Sequence, residues 1–175
     1  LADAPPHARA VFDELRLELC VGQYLDLAGA ATRTRDPAAA ERIAVFKSGK
    51  YTVERPLHLG AAMADRLDDL REPLTQIGLP LGRAFQMRDD VLGVFGDQAL
   101  TGKPVGDDLR EGKPTPMLAY ADEHATATQR ELLDTLGTAN LTDSDIERLQ
   151  GVFDDTGARA MAEQAIEALV SESLD

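Results

Sequence analysis

Apolar residues along this chain recur mainly at helical spacing, and no sustained alternation of apolar and polar positions indicates a strand. The stretch from His7 to Leu27 has Val11 and Leu15 among its apolar positions, so it predicts a first helix. That helix should end near Gly29, because glycine commonly follows the last periodic residue of a helix. Abundant Ala, Leu, Glu, Arg and Gln favour helices in the later segments as well. The pattern therefore predicts an all-α chain.

Prolines and polar capping residues predict where the later helices begin. Asp36 followed by Pro37 is typical of an N-cap and a first helical position, which predicts a helix as far as Phe46, before a break at residues 47–49. Pro56 and Pro73 should start, kink or interrupt the helices that contain them. The segment 96–114 has too many Gly, Pro and Asp residues to be regular, and loops of this kind are often functional. The other predicted helices cover residues 51–64, 67–77, 81–95, 116–124 and 128–136, and two more follow a capping box at Thr142 and Asp145.

Composition and charge narrow the range of functions. The chain has 175 residues, of which 43% are hydrophobic and 28% charged, so we expect one domain spanning residues 1–175. A formal net charge of −13 argues against nucleic-acid binding and against electrostatic docking to an anionic membrane. No apolar run approaches the roughly 18 residues of a membrane span, and the N-terminus lacks a signal-peptide layout. We therefore expect a cytoplasmic protein without stable membrane insertion. The single cysteine, Cys20, lies in an apolar run and is predicted to be buried in the core.

The strongest chemical signal is a pair of carboxylates on a predicted helix. Gln86, Asp89 and Asp90 lie at i, i+3 and i+4, so they share one face. Such a pair alone is more often a solvated surface than a metal site. However, Mg²⁺ prefers carboxylate oxygens and fills its remaining positions with water and substrate phosphates. Lys103 and Lys113 follow in a glycine-rich stretch, and their ammonium groups are suited to a diphosphate. Together these residues predict a site for a magnesium-bridged diphosphate.

The whole ordered string FQMRDDVLGVFGDQALTGKPVGDDLREGKPT at residues 85–115 resembles the second aspartate-rich region of trans-isoprenyl diphosphate synthases, the polyprenyl synthetases. Upstream, GQYLDL at residues 22–27 resembles the Gly-Gln-x-x-Asp-Leu helix of that family. The segment FKSGKYT at residues 46–52 resembles its Lys-Thr element. The resemblance covers roughly the C-terminal half of an isoprenoid-synthase-type helical bundle, of the geranylgeranyl or farnesyl diphosphate synthase type.

The resemblance implies a reaction and the residues that bind its charged groups. It implies head-to-tail prenyl transfer, in which isopentenyl diphosphate is joined to an allylic diphosphate with magnesium as cofactor. Asp89 and Asp90 look like the magnesium ligands. Lys47 and Lys103 look like diphosphate contacts, and Lys113 is a weaker candidate for the same role.

The resemblance also implies which residues line the cavity around the allylic cation. The Ser48 carbonyl, Gln86 and Tyr51 resemble groups that face the cation, since their oxygen atoms offer a negative dipole without strong nucleophilicity. Gln23 and Asp26 would line the same cavity and contact substrate.

Two departures from the family pattern leave alternatives open. Gly93 stands where the motif usually has a third carboxylate, which predicts weaker metal binding. Asp97 could compensate, although its Gly-Asp setting fits a turn or cap at least as well. The first aspartate-rich motif is not found upstream of Gly22, so we expect a homodimer or pairing with a missing N-terminal half. A non-catalytic diphosphate-binding or regulatory subunit is the alternative function. A terpene cyclase is a related enzyme, but the loop that contains Lys103 and Lys113 resembles the synthases more.

Overall fold

The computed structural model describes residues 4–102, 104–138 and 141–175, and these residues form helices joined by short connections, with no strand among them. The prediction of an all-α chain is confirmed. In chain order the elements are α1 Pro6–Thr32, α2 Pro37–Ala44, a π-helix Val45–Glu54, α3 Arg55–Met63, α4 Leu67–Phe95, α5 Gln98–Thr101, α6 Asp107–Glu111, α7 Pro116–His124, α8 Ala127–Leu133, α9 Asp143–Asp155 and α10 Ala158–Leu174.

Helix α4 is the central element of the fold, and it packs against the π-helix, α3, α6, α7 and α10. The prediction of separate helices on either side of Pro80 was wrong, because α4 continues through both Pro73 and Pro80. An interior proline costs roughly 3 kcal/mol through its missing N–H and its clash with the preceding turn. We attribute the continuity of α4 to its packing on opposite sides against the π-helix and α10, which outweighs this cost.

The predicted helix boundaries were correct where a capping side chain defines the end of the helix, and they were wrong where packing against other helices defines it. The Asp36 carboxylate accepts a hydrogen bond from the Ala38 N–H at 3.0 Å, and Thr142 forms the predicted capping box with Asp145. Helix α1, however, runs past Gly29 to Thr32. The predicted break at residues 47–49 is instead a π-helix, so α3 begins at Arg55. The segment 96–114 is not wholly irregular, since it contains the short helices α5 and α6.

The main hydrophobic core lies between the C-terminal half of α4 and helices α7, α9 and α10, with Val94, Met117 and Phe153 among its buried members. A smaller core lies between the start of α1 and α3, around Val11 and Ala62. Cys20 belongs to neither, and its predicted burial was wrong because its side chain is exposed. The buried positions of α1 include residues 15, 22 and 29, and position 20 lies on the opposite side of the helix.

Candidate functional site

Interior glycines allow the π-helix to lie directly against α1 and α4. A Cβ atom added to Gly22 of α1 would lie 2.6 Å from the carbonyl carbon of Phe46 and 2.7 Å from the Cα of Lys47. A Cβ added to Gly82 of α4 would lie 2.8 Å from the Cα of Gly49. Real Cβ atoms do not approach backbone this closely, so only glycine fits at either position. The backbone of the π-helix is therefore held tightly between α1 and α4. Turns of π-helix frequently occur at functional sites.

This packing places Lys47 beside Asp26, a contact that the sequence analysis did not predict. The Lys47 Nζ lies 2.6 Å from Asp26 Oδ2, and both side chains are largely buried. Asp26 Oδ1 is also buried and has no hydrogen-bond partner among the described residues. Gln23, one turn earlier on α1, is exposed, and so is Tyr51 on the π-helix, while Ser48 is half-buried next to Lys47.

The predicted carboxylate pair lies near the end of α4 and converges on Lys113. The Lys113 Nζ is 2.9 Å from Asp90 Oδ1 and 3.7 Å from Asp89 Oδ2. Gln86 donates a hydrogen bond from Nε2 to Asp90 Oδ1 at 2.7 Å. Asp90 is only 3% exposed, whereas the Asp89 side chain is half-exposed. Lys113, the weaker lysine candidate from the sequence, is thus a central member of the cluster.

A further carboxylate that the sequence analysis did not single out completes this cluster. Asp108 is buried, and its Oδ2 accepts a hydrogen bond from Lys113 Nζ at 2.9 Å. Its only sequence signal is its place within the Gly-Asp-Asp-Leu-Arg-Glu-Gly-Lys part of the motif. Asp97, in contrast, is an N-cap of α5, where its Oδ1 accepts from the Ala99 N–H at 2.9 Å.

Burial and the neighbouring charges shift the acid–base properties of the cluster. Burial raises the pKa of Asp90 to about 6, although Lys113 and Gln86 oppose the shift by favouring its carboxylate form. Burial also works against the positive charge of Lys113, but Asp90 and Asp108 outweigh it and raise the pKa of the ammonium group. At neutral pH the centre is therefore a buried ammonium held among carboxylates.

Lys47, paired with Asp26, and the carboxylate cluster around Lys113 face one small cavity. Its lining includes Lys47, Gln86, Asp90 and Lys113, together with apolar side chains of α2 and the start of α7. A larger cavity of about 390 Å³ lies between α8 and α9, but none of the predicted site residues lines it. Lys103, another predicted diphosphate contact, lies outside the described residues.

The donor chemistry of the cluster suits magnesium rather than a transition metal. Within residues 4–102, 104–138 and 141–175, no three His, Cys, Asp or Glu side chains are arranged to hold a metal ion by themselves. Mg²⁺ does not need such a cage, since one or two carboxylates can hold it together with waters and substrate phosphates. Asp89 and Asp90 offer the required hard oxygen donors, and the exposure of Asp89 leaves that side of the pair accessible.

A second buried charged network, also missed by the sequence analysis, anchors the end of the π-helix to α1. Arg55 binds Glu18 in a bidentate arrangement, with Nε at 2.7 Å and Nη2 at 2.8 Å from the carboxylate oxygens, and Lys50 Nζ lies 2.5 Å from the same carboxylate. Burial opposes ionisation of Glu18, but hydrogen bonds from Arg55 and Lys50 outweigh it and lower the pKa of Glu18. His58 is fully buried, with Nδ1 2.9 Å from Arg55 Nη1 and Nε2 3.0 Å from the Arg71 carbonyl oxygen. This geometry fits a neutral imidazole, and burial lowers the pKa of His58.

In the part of the chain that the structure describes, no helix combines the length and the apolar character needed to cross a bilayer.

Comparisons with known proteins match most of the chain. The family model described as polyprenyl synthetase matches residues 2–153. A geranylfarnesyl diphosphate synthase from Aeropyrum pernix is 33% identical over 165 residues, a match that covers 94% of this chain and 51% of that protein. A geranylgeranyl diphosphate synthase from Mycobacterium tuberculosis is 34% identical over 162 residues, covering 89% of this chain and 45% of that protein.

Solved structures agree with the sequence matches. The geranylgeranyl pyrophosphate synthase from Corynebacterium glutamicum, crystallised with isoprenyl diphosphate and magnesium, is 37% identical and superposes with a TM-score of 0.92. That match covers 96% of this chain and 48% of the other. The chain therefore spans about half the length of the relatives that it matches.

Proposed function

This chain belongs to the polyprenyl synthetase family, and we propose that it forms the C-terminal half of a trans-isoprenyl diphosphate synthase of the geranylgeranyl or farnesyl diphosphate type. The proposed reaction joins isopentenyl diphosphate to an allylic diphosphate and releases pyrophosphate. The observation that carries this proposal is the small cavity lined by Lys47, Gln86, Asp90 and Lys113, because residues from separate family motifs converge there. The relatives described above are all named as synthases, and no feature of the described residues favours a purely regulatory subunit.

The main barrier in this reaction is charge separation when the allylic carbon–oxygen bond breaks. Lys47 and Lys113 carry ammonium groups at the cavity, so they are placed to donate to oxygens of the departing diphosphate. Asp89 and Asp90 would hold magnesium, which when bound stabilises the negative charge that develops on pyrophosphate. Asp26 orients the Lys47 ammonium group through the ion pair at 2.6 Å.

Uncharged oxygen atoms are suited to stabilising the allylic cation that forms when the carbon–oxygen bond breaks. The Gln86 amide donates its N–H to Asp90, which fixes the orientation of the amide and leaves its carbonyl oxygen as a dipole for the allylic cation. The Ser48 carbonyl belongs to the π-helix, where i→i−4 hydrogen bonding is replaced by a wider turn. Burial of Gln86 and Asp90 also limits access of water, which would otherwise capture the cation.

We propose that the complete active site includes a further helical half of the fold, or that two copies of this chain form a homodimer. The relatives are about twice as long as the part that matches. Leu17, Tyr24 and Leu27 form an exposed apolar face on α1, and such a face is suited to packing against another helix.

The test separates binding from turnover. Calorimetry should show that inorganic pyrophosphate binds in the presence of magnesium, and Asp89→Ala should abolish this binding. Asp68→Ala changes an exposed residue in the first turn of the same helix and serves as the control. Labelled isopentenyl diphosphate with an allylic primer then tests for elongation in the presence of the other helical half of the fold, and Lys47→Ala should abolish elongation without loss of helical circular dichroism. Binding without elongation would favour the regulatory alternative. No binding, or normal binding by Asp89→Ala, would refute the proposed site.

A further inference from the structure

The carboxylate of Asp108 occupies the space that a side chain at position 93 would fill. A Cβ added to Gly93 would overlap Asp108 Cγ and Oδ2, and it would lie 2.8 Å from Oδ1. Gly93 is one turn beyond Asp89 on α4, so a side chain there would share the face of the carboxylate pair. The glycine that breaks the family pattern therefore leaves a space for a carboxylate from another element.

Helix α6 and the turn that follows it place Asp108 and Lys113 in the same cluster. Helix α6 begins after Gly106 and ends at Gly112, and both glycines have positive φ, at 71° and 66°, which glycine adopts without strain. The Lys113 N–H donates to the Asp108 carbonyl oxygen at 3.0 Å and closes the end of the helix. The turn at Gly112 also packs closely on Gly137, since an added Cβ would lie 2.8 Å from the Gly137 Cα.

Lys113 has two fixed partners in this arrangement. Its ammonium group has three N–H donors, and Asp90 and Asp108 each lie 2.9 Å from Nζ on different elements. Asp89, at 3.7 Å, is beyond ordinary hydrogen-bond distance. When two donors are fixed, the direction of the third is determined as well. A long, flexible side chain is thereby held in one conformation before ligand arrives, which lowers the entropy lost on binding.

We propose that Asp108 is a positioning residue that stands in for the absent side chain at Gly93 and holds Lys113 ready to contact a diphosphate. This inference rests on the proposed function, because it names the group that orients one of the proposed diphosphate contacts. Asp108 itself touches Lys113 and not the diphosphate. Gly93 leaves the space that the Asp108 carboxylate occupies, and a side chain at position 93 would require that carboxylate to move.

The test moves the carboxylate from α6 to α4 and measures pyrophosphate binding in the presence of magnesium. Asp108→Asn, which keeps shape but removes charge, should weaken binding about tenfold or more, since a hydrogen bond to a charged group contributes on that scale. Gly93→Asp alone should also weaken binding, because two carboxylates compete for one space. The double variant Gly93→Asp with Asp108→Ala should recover most of the affinity. Gly60→Asp on α3 is the matched control, since no atom lies within 4 Å of a Cβ added there.

The outcomes distinguish failure of this inference from failure of the proposed function. Thermal unfolding is measured in parallel, and a double variant that recovers stability but not affinity would show a purely structural role and overturn the inference. Unchanged binding by Asp108→Asn would overturn it as well, and this isosteric variant decides the matter if Gly93→Asp does not fold. Failure of the unaltered chain to bind pyrophosphate would overturn the proposed function, and this inference with it.

Discussion

Replacement of Gly82 by alanine should destabilise the fold, although alanine is the better helix former. The added methyl group would overlap the Gly49 carbonyl and approach its Cα to 2.8 Å, and both are backbone atoms that cannot rotate away. Overpacking of this kind costs about 3 kcal/mol at the upper end of its usual range. Helix propensity returns about 1 kcal/mol. The expected net loss is therefore about 2 kcal/mol.

Thermal unfolding followed by circular dichroism measures this effect directly. In a chain of this size about 2 kcal/mol corresponds to a decrease of roughly 4–8 °C in Tm. Gly60→Ala is the matched control, because a Cβ there meets nothing within 4 Å and should raise Tm by a few degrees. Opposite signs for the two substitutions are required. If Gly82→Ala leaves Tm unchanged or raises it, the π-helix is not clamped against α4 in the way described.

Three further substitutions or measurements test other parts of the structure. Glu18→Gln should cost about 1–3 kcal/mol in denaturant unfolding, because it removes the charged partner of the bidentate Arg55 hydrogen bonds and leaves Glu54, at 3.6 Å, as the nearest remaining carboxylate. Asp13→Asn on the exposed side of α1 should cost little, and equal effects would contradict the network. Because burial lowers the pKa of His58, its stabilising contribution is fully present above its ordinary pKa of 6.5 and is lost as the pH falls from there through the lower pKa of the folded state. His58→Gln should flatten this pH dependence of the unfolding free energy, and an unchanged slope would refute it. Cys20 should react with a thiol reagent in the folded chain at a rate close to that in denaturant, and protection of the thiol would contradict its exposure.

Local signals in the sequence predicted the parts of the fold that local contacts determine. Asp36 and Thr142 cap their helices through bonds to residues two and three positions away, so their identity alone indicates the helix starts. The continuity of α4 through Pro80 depends instead on neighbours distant in sequence. The π-helix likewise requires Gly22 and Gly82, which precede and follow it by more than twenty residues. Periodicity within a window cannot reveal contacts of that range.

The candidate site shows the same division between local and distant information. Gln86, Asp89 and Asp90 share a face because they lie on one helix, and this part was predicted from spacing alone. The Asp108 contribution was missed because it depends on how α6 folds back over Gly93. That fold is determined by positive-φ glycines and packing against Gly137, neither of which has a periodic signature.

If this chain binds a diphosphate as proposed, the charges around the cavity predict that binding requires a metal ion. Among the described residues of the site, four carboxylates, from Asp26, Asp89, Asp90 and Asp108, accompany only two ammonium groups. Both lysines are already paired with carboxylates, so a free diphosphate would meet net negative charge in a poorly solvated cavity. A divalent cation held by Asp89 and Asp90 would cancel that net charge and would offer the phosphate oxygens a positively charged partner. The acidic character of the whole chain, with its net charge of −13, adds to the repulsion at long range. Asp89 and Asp90 are thus compatible with the proposed anionic substrate as metal ligands, which is the role that the family motif implies for them.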